Sequence, residues 1–450
     1  MLCAIPMEIA NRELDGVIYL AMHLAGHGLP TLFGERMVNE YVFRLGRGKP
    51  VVYFDKDQNA DANRAVLESG GYVVNLNAEG QNLDMFPQLI ELFARVSPTF
   101  SAMFVRGEAQ RVRLAEAFPG DRKERVVATG HPSFDILDAR FNSYHENADI
   151  VALHGRDYIQ INTQFVTFNH KMGFDAYMKM VSGLKEWRDV YTNAEFLAFK
   201  QRQRDFEGEI AERFIGMAEA VAMAFPDRHV IVRPHPMEDR AFYDTRLSGK
   251  SNIFVKPDGP VRPWLATAGA VVHHSCTTGV EALLMGRTVI RFDPVRGEDG
   301  ENMQARAGLR AGTVEQVIEA IRNGVMLEDV RMEQLESMRS HTANCCGQLA
   351  SPRIAEYVAE LAGIGETWIP EPLGMVESAK CWRKYLSKVL RARQPGRVGR
   401  KVRYALEKFP RLSLAEIRRL VDRFAEVDPD LPFCKVRELG LNTFLLTPKG

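Results

Sequence analysis

The sequence predicts an α/β fold with two parallel sheets built one after the other along the chain. Three observations predict it. Short apolar, β-branched runs alternate with segments of helical spacing from residue 1 to residue 130. The same alternation resumes at residue 229, after a long polar stretch of helical character. At 450 residues the chain is too long for one ordinary domain.

The elements follow in order. "LCAIPM" reads as a strand, and Arg12–Gly26 as a helix with apolar positions at Leu14, Ile18, Ala21, Met22 and Ala25. "PTLFG" is a strand, Met37–Leu45 a helix, "PVVYF" a strand, "ADANRAVLESG" a helix and "YVVNL" a strand. "FPQLIELFARV", "AMFVRG", "QRVRLAEAF" and "RVVATG" continue as helix, strand, helix and strand. Strands and helices alternating at this spacing form βαβ units on a parallel sheet, which makes a Rossmann-like domain. Residues 136–158 are polar and irregular, the pattern of a hinge. "YIQINTQF" opens a second series, residues 174–225 read as helical, and "HVIVRP", "NIFVKP", "AVVHHS" and "TVIRFDP" restore the strand rhythm up to residue 330. Helices are expected over 331–362 and 376–425. The expected organisation is an N-terminal Rossmann-like domain over 1–145, a second over 146–350 facing it across a cleft, and a basic helical extension over 351–450.

Lys and Arg balance Asp and Glu at 58 each, yet residues 380–423 carry fifteen basic residues against three acidic ones. A basic helical segment predicts a solvated face or peripheral contact with an anionic membrane. Nucleic acid is not expected as a partner, because no nucleic-acid module surrounds the segment. No apolar run is long enough to span a bilayer, and the N-terminus lacks the basic start and apolar run of a signal peptide. Cys3, Cys276, Cys345, Cys346, Cys381 and Cys434 show no metal-binding spacing. A reducing, cytoplasmic setting is expected, with contact at the inner membrane.

Two stretches carry chemistry. In "HVIVRPHPMED" a buried strand ends in Arg233, Pro234, His235 and Pro236. Two prolines cannot continue a central ladder, so an arginine and a histidine stand on a stiff turn at the strand's carboxyl end. In "AVVHHSCTTGVEALLMG" another strand runs into His273, His274, Ser275, Cys276, Thr277, Thr278 and Gly279, and a helix then carries Glu281. Hydroxyls and unbonded N–H groups at a helix start can hold an anion, and Gly279 lets a ligand approach the backbone. Glu281 is placed to accept bonds from ribose hydroxyls. The alternative for the whole stretch is a capped helix in a structural βαβ unit.

RPHP followed by the Ser/Thr-rich turn and "GVEALLMGRTVI" resembles the nucleotide-binding half of GT-B glycosyltransferases. The likeness is to those that use cytidine nucleotides: sialyl-, polysialyl- and Kdo-transferases and the teichoic-acid polyol-phosphate transferases. More closely, "IPMEIANRELDG", "YFDKD", "LNAEG", "VATGHPSFD" and "IQINTQFVTFNH" are similar, in that order, to segments of the bacterial surface carbohydrate biosynthesis proteins. The likeness covers residues 1 to about 340. The chain departs from it at "LNAEG", where only Glu79 precedes the glycine, and at His131 and Ser133.

The resemblance implies a surface-polysaccharide glycosyltransferase that moves a sugar from a nucleotide donor, first of all a CMP-linked acidic sugar, to a glycan or lipid-linked acceptor. Glu79, after the strand "YVVNL", is the expected base. His235 and Arg233 would meet the nucleotide phosphate, with Asn162 and Thr163 approaching from the loop after "YIQI" and Ser275, Thr277, Thr278, Gly279 and Glu281 completing the nucleotide site. Arg12 and Lys56 are candidates for the acceptor or an acidic sugar. "DKD" at 55–57 matches a metal-binding DxD literally, but no metal or other cofactor is expected, because GT-B enzymes stabilise the leaving nucleotide with side chains and helix dipoles. The alternatives are a CDP-glycerol-type polyol-phosphate transferase, an isomerase like UDP-GlcNAc 2-epimerase, and a non-catalytic nucleotide- or glycan-binding protein.

Overall fold

Among the described residues, eight strands assemble into one sheet and six into another. The computed structural model describes residues 1–450 except 36, 57–58, 77–87, 183–192, 296–302, 325–327, 346, 364–366 and 450. The strands are β1 (Leu2–Pro6), β2 (Thr31–Gly34), β3 (Val51–Asp55), β4 (Tyr72–Leu76), β5 (Ala102–Val105), β6 (Val126–Ala128), β7 (Tyr158–Asn162), β8 (Val230–Arg233), β9 (Ile253–Val255), β10 (Ala268–His273), β11 (Thr288–Phe292), β12 (Leu309–Ala311), β13 (Cys434–Gly440) and β14 (Thr443–Pro448). The fold is α/β with two Rossmann-like sheets, as the alternation of apolar runs predicts.

The chain divides into two compact units, Met1–Ile136 with Arg339–Gly450, and Leu137–Met338. These differ from the expected boundaries. Residues after 339 return to the first unit instead of forming a separate extension. The basic segment is helical over Met375–Ala392, Gly396–Lys408 and Leu414–Val427. It is followed by an antiparallel hairpin of β13 and β14, which the sequence pattern does not predict.

In the first unit the order is β13-β14-β2-β1-β3-β4-β5-β6. Strands β1 to β6 pair in parallel. Leu2, Cys3, Ala4 and Ile5 are all fully buried, which is why this strand reads as a continuous apolar run instead of an alternating one. β14 pairs antiparallel with β2 and covers an edge that would otherwise be open. At the hairpin turn Asn442 adopts the left-handed conformation, and its side chain accepts from the Leu412 N–H at 2.9 Å and donates to the Pro410 carbonyl at 3.1 Å. Gly34 lies directly beneath this turn. A Cβ there would come within 2.0 Å of the Asn442 carbonyl oxygen, so only glycine lets the hairpin close on β2.

The helix Ala10–Gly26 is buried along most of its length. Gly16 lets it approach the backbone at Pro132 and Ser133, where a Cβ would sit 2.7 Å from the Ser133 nitrogen. The Tyr19 hydroxyl donates to Asp428 at 2.5 Å, tying this helix to the end of Leu414–Val427. Asp135, fully buried, accepts from the Asn344 side chain at 2.6 Å and from the backbone N–H groups of Ala350 and Ser351 at 2.5 and 2.7 Å. It thereby satisfies the first turn of the helix Ala350–Ala362, whose N-cap residue Leu349 has no side chain able to do so.

The second unit has the order β12-β11-β10-β7-β8-β9, parallel throughout. The long helix Asn193–Ala224 buries Ile210, Ala211, Phe214, Met217, Ala218 and Val221, an apolar stripe at helical spacing. The stripe packs with Ile159, Ile161, Val230, Val232, Val272 and Ile290 of the sheet in one core. No described helix is long and apolar enough to cross a membrane.

Replacing Asp135 with Ala strands three buried N–H groups. The loss of a cap and of charge-assisted bonds should lower stability by about 2–4 kcal/mol, read as a fall in denaturation midpoint at unchanged m-value. A midpoint within error of wild type would show that the helix start is satisfied in another way.

Candidate functional site

The second sheet reverses direction at one place. From β7 the chain builds outward to β8 and β9, then returns to lay β10 against the other side of β7 and builds outward again. In an open parallel sheet the loops on either side of such a reversal diverge, leaving a crevice beyond the strands' carboxyl ends. Asn162 and Thr163 follow β7, the His235 turn follows β8, and the run from His274 to Thr278 follows β10. These three strands are immediate neighbours, with Asn162 in register with Arg233 and Ile161 with Val272. The two motifs picked out in the sequence therefore share one sheet edge, with the asparagine between them.

The His235 turn is built around a buried carboxylate. Glu238 accepts from the His235 N–H at 3.0 Å, from the Thr163 hydroxyl at 3.0 Å, and from the Tyr243 hydroxyl. Burial pushes its carboxyl up, while these donors draw it back down. The segment 169–171 clamps the same turn: the Lys171 N–H donates to the Met237 carbonyl at 2.9 Å, and Asn169 exchanges bonds with Asp239. Sequence reasoning alone misses Glu238. Its signal is there, an acid three residues after the histidine in a turn that has lost two N–H donors to proline.

His235 is held in one tautomer. Its Nδ1 accepts from the Met237 N–H at 3.2 Å, so in the neutral ring the proton sits on Nε2. Burial, with a smaller contribution from Lys171, holds its pKa below the usual histidine range. The ring is thus a neutral donor at neutral pH, and an anion brought to Nε2 would favour its protonated form.

Asn162 is buried at 3% exposure. Its Oδ1 accepts from Gln160 at 2.9 Å, while its Nδ2 is a buried donor with no partner. An orphaned buried amide at the end of the central strand, beside the reversal, is costly unless something satisfies it.

Other predicted residues are placed differently from expectation. The Arg233 guanidinium donates to the carbonyls of Lys256, Asp258 and Gly259 at 2.7 to 3.3 Å and lies over the Trp264 ring. Burial lowers its pKa to about 10. Its donors staple the loop after β9. The cap of the helix Thr277–Leu284 is Cys276, with no side-chain capping bond, so neither Ser275 nor Thr277 serves as the expected cap. A Cβ on Gly279 would meet the His273 ring at 2.3 Å, so this glycine is required by packing within the protein. Glu281 lies 3.8 Å from Arg262. His273 is fully buried with both ring nitrogens engaged, Nε2 to the Ala307 carbonyl and Nδ1 by the Cys276 N–H.

The first unit has its own reversal, between β1 and β3. Lys56, just after β3, pairs across it with the buried Glu13, which also accepts from the N–H groups of Glu8 and Ile9 at 3.3 Å. Arg12 is partly exposed, 3.5 Å from Glu13. A cavity of about 530 Å³ opens at this edge, lined among others by Glu8, Glu35, Tyr53, Lys56, Lys388 and Lys408. Glu79 and Asp57 lie outside the described residues, and Asp55 is buried with its carboxylate bonded by Asn75 at 3.3 Å.

No protein-family model and no curated protein matches the chain. Among solved structures it is similar to a UDP-GlcNAc 2-epimerase from Neisseria meningitidis bound to UDP-GlcNAc, at 13% identity and a TM-score of 0.46 over 80% of this chain and 99% of that one. It is also similar to the wall teichoic acid polymerase TagF, at 10% identity and a TM-score of 0.44 over 80% of this chain and 87% of that one. A third similar structure is the UDP-GlcNAc 2-epimerase of Methanocaldococcus jannaschii in complex with UDP-GlcNAc and UDP, at 13% identity and a TM-score of 0.43 over 80% of this chain and all of that one.

Burial holds His273 at about 4, below the histidine value of 6.5. The unfolded chain therefore binds this proton first, so the contribution of His273 is full above pH 6.5 and is lost as pH falls from 6.5 towards 4. His273→Gln should remove about 3 kcal/mol of that acid-side dependence, measured as denaturation midpoint against pH. An unchanged slope would show that His273 does not titrate in this window.

Proposed function

We propose that the chain is a glycosyltransferase of surface-polysaccharide biosynthesis, taking its sugar from a nucleotide donor at the reversal of the second sheet. The observation that carries this reading is the convergence of Asn162, the His235 turn and the Ser275–Thr278 run at three adjacent strand ends beside the reversal of the sheet. The first donor to consider is a CMP-linked acidic sugar, and the acceptor a glycan or lipid-linked glycan at the cytoplasmic face of the inner membrane.

The chemistry follows from the residues. An acceptor hydroxyl attacks the anomeric carbon as the bond from that carbon to the phosphate oxygen breaks. The hydroxyl's proton goes to Glu79, and the electron pair leaves with the nucleotide. Negative charge then builds on the departing phosphate, where the Nε2–H of His235 is a fixed donor. A lowered pKa suits the histidine to this role, because the ring starts neutral and gains basicity as the phosphate charge grows. Thr163 is tied to Glu238, so its role is to hold the His235 turn in place. The further reach of Arg233 is through the same turn, because its guanidinium is engaged with carbonyls.

Thermal-shift measurements with CMP, CDP, UDP and GDP should single out the cytidine nucleotides, since a ligand of the native state raises its melting temperature. His235→Ala and Asn162→Ala should each weaken that binding by roughly ten- to a hundredfold in calorimetry, the worth of one bond to a charged group. Affinities equal to wild type in both variants would remove the reversal of the second sheet as the donor site. A response to UDP alone would favour the epimerase-like alternative, and turnover of CDP-glycerol the polyol-phosphate one. Glu79→Gln should lower kcat while leaving nucleotide affinity nearly intact. Full activity of that variant would exclude it as the base.

A further inference from the structure

Met375, Ala379, Trp382, Leu386 and Leu390 recur along the helix Met375–Ala392 at intervals of four, three, four and four residues. That spacing puts them on one face. Such a stripe normally packs inward. Here Met375 is 91% exposed, Trp382 41%, Leu386 54% and Leu390 62%. The other side of the helix is what fastens it to the first unit: Cys381 lies 3.9 Å from the Met37 sulfur, Glu377 3.7 Å from Arg44, and Lys388 3.7 Å from Glu35. The helix is therefore anchored through one face and presents an apolar stripe on the other.

Charge lies beside the stripe. With about 100° between successive residues, exposed Arg383 stands next to the apolar stripe, and Lys380, Arg391 and Lys384 follow round the helix towards Glu377, with which Lys380 pairs at 3.1 Å. The following helix, Gly396–Lys408, adds exposed Arg400 and Arg403, and the Arg403 guanidinium closes onto the end of the first helix through the Ala392 carbonyl at 2.6 Å.

We propose that this face docks on an anionic phospholipid bilayer. The stripe of Trp382, Leu386 and Leu390 lies in the interface, and the basic arc meets the headgroup phosphates. The pairing of a largely exposed apolar stripe with a predominantly basic surface selects this occupant. A nucleic acid would use the charge and leave the aliphatic residues in water, and a second copy of the chain would bring the same positive arc against itself. The placement also has a use. Lys388 of this helix and Tyr404 and Lys408 of the next line the cavity at the carboxyl edge of the first sheet. Docking sets that cavity at the leaflet, where a lipid-linked acceptor is found; this last step rests on the transferase reading, whereas the docking itself does not.

The test is sedimentation of the full chain with sucrose-loaded vesicles. Wild type should pellet with vesicles of phosphatidylglycerol and phosphatidylethanolamine at low salt, remain in solution with phosphatidylcholine alone, and be released as the Debye length shrinks from about 10 Å at 0.1 M to about 3 Å at 1 M salt. The double variant Leu386→Ser, Leu390→Ser should bind roughly tenfold or more weakly while keeping the wild-type melting temperature, since these two side chains are more than half exposed, whereas Trp382 also lies under the Arg411 guanidinium. Arg383→Glu with Lys384→Glu should weaken binding similarly. Wild type left in the supernatant with anionic vesicles overturns the proposal. So does a double variant that pellets as well as wild type, or one that only abolishes a dimer in protein that never binds vesicles. His235→Ala should pellet like wild type, which keeps this outcome separate from the fate of the nucleotide site.

Discussion

A single buried carboxylate, Glu238, organises the loops at the carboxyl edge of the second sheet. Pro234 and Pro236 deprive the chain after β8 of two N–H groups and leave it unable to extend the ladder. The turn is held instead by the donors that converge on Glu238 from three places: the turn's own backbone, the loop after β7 and the helix Arg240–Arg246. Loss of the acid would leave the His235 N–H without its acceptor and the Tyr243 and Thr163 hydroxyls, 3.0 Å apart, with only each other. The tautomer of His235 follows from the same turn, since the Met237 N–H that fixes Nδ1 is positioned by it.

The two sheets meet the same geometric constraint in different ways. Each is parallel around its centre and reverses its build direction there, so each leaves a crevice at its carboxyl edge. In the second unit that edge carries a buried histidine held below the usual range and a buried asparagine amide. In the first unit the corresponding edge carries ion pairs: Lys56 with Glu13, Lys388 with Glu35 and Lys408 with Glu8. The first edge supplies paired donors and acceptors suited to a hydroxyl-rich ligand, and the second supplies neutral donors suited to an anion.

Much of this is legible in the sequence, for a physical reason. Strands buried on both faces read as unbroken apolar runs, so β1, β3, β7, β8 and β10 announce themselves, and a turn with two prolines marks where a strand must stop. The hairpin is hidden because β13, "CKVRELG", is an edge strand with charged residues on one side, and charge is how an edge is protected. The return of residues 339–450 to the first unit is hidden because it depends on contacts distant in sequence, such as Asp135 with Asn344 and Tyr19 with Asp428. Arg233 reads as a ligand contact because its motif is local. The carbonyls at 256, 258 and 259 that its guanidinium meets in the folded chain come from the end of another strand. Asn162 stands out by its place after a strand, but the unsatisfied donor of its amide exists only once Gln160 and the sheet are in position.

The hairpin that caps β2 has a consequence for the order in which the molecule is made. The second unit is a continuous stretch of chain and has every strand of its sheet once residue 311 has been synthesised. The first unit is not continuous, and its sheet waits for β13 and β14, more than three hundred residues after β6. On the ribosome the first six of its eight strands are therefore exposed with the β2 edge unpaired while the whole second unit emerges and folds. Gly34, bare and without a side chain to blunt that edge, leaves it open to strand addition from a neighbouring nascent chain. Slow translation between β6 and β14 lengthens the time for which the β2 edge waits for its partner strand.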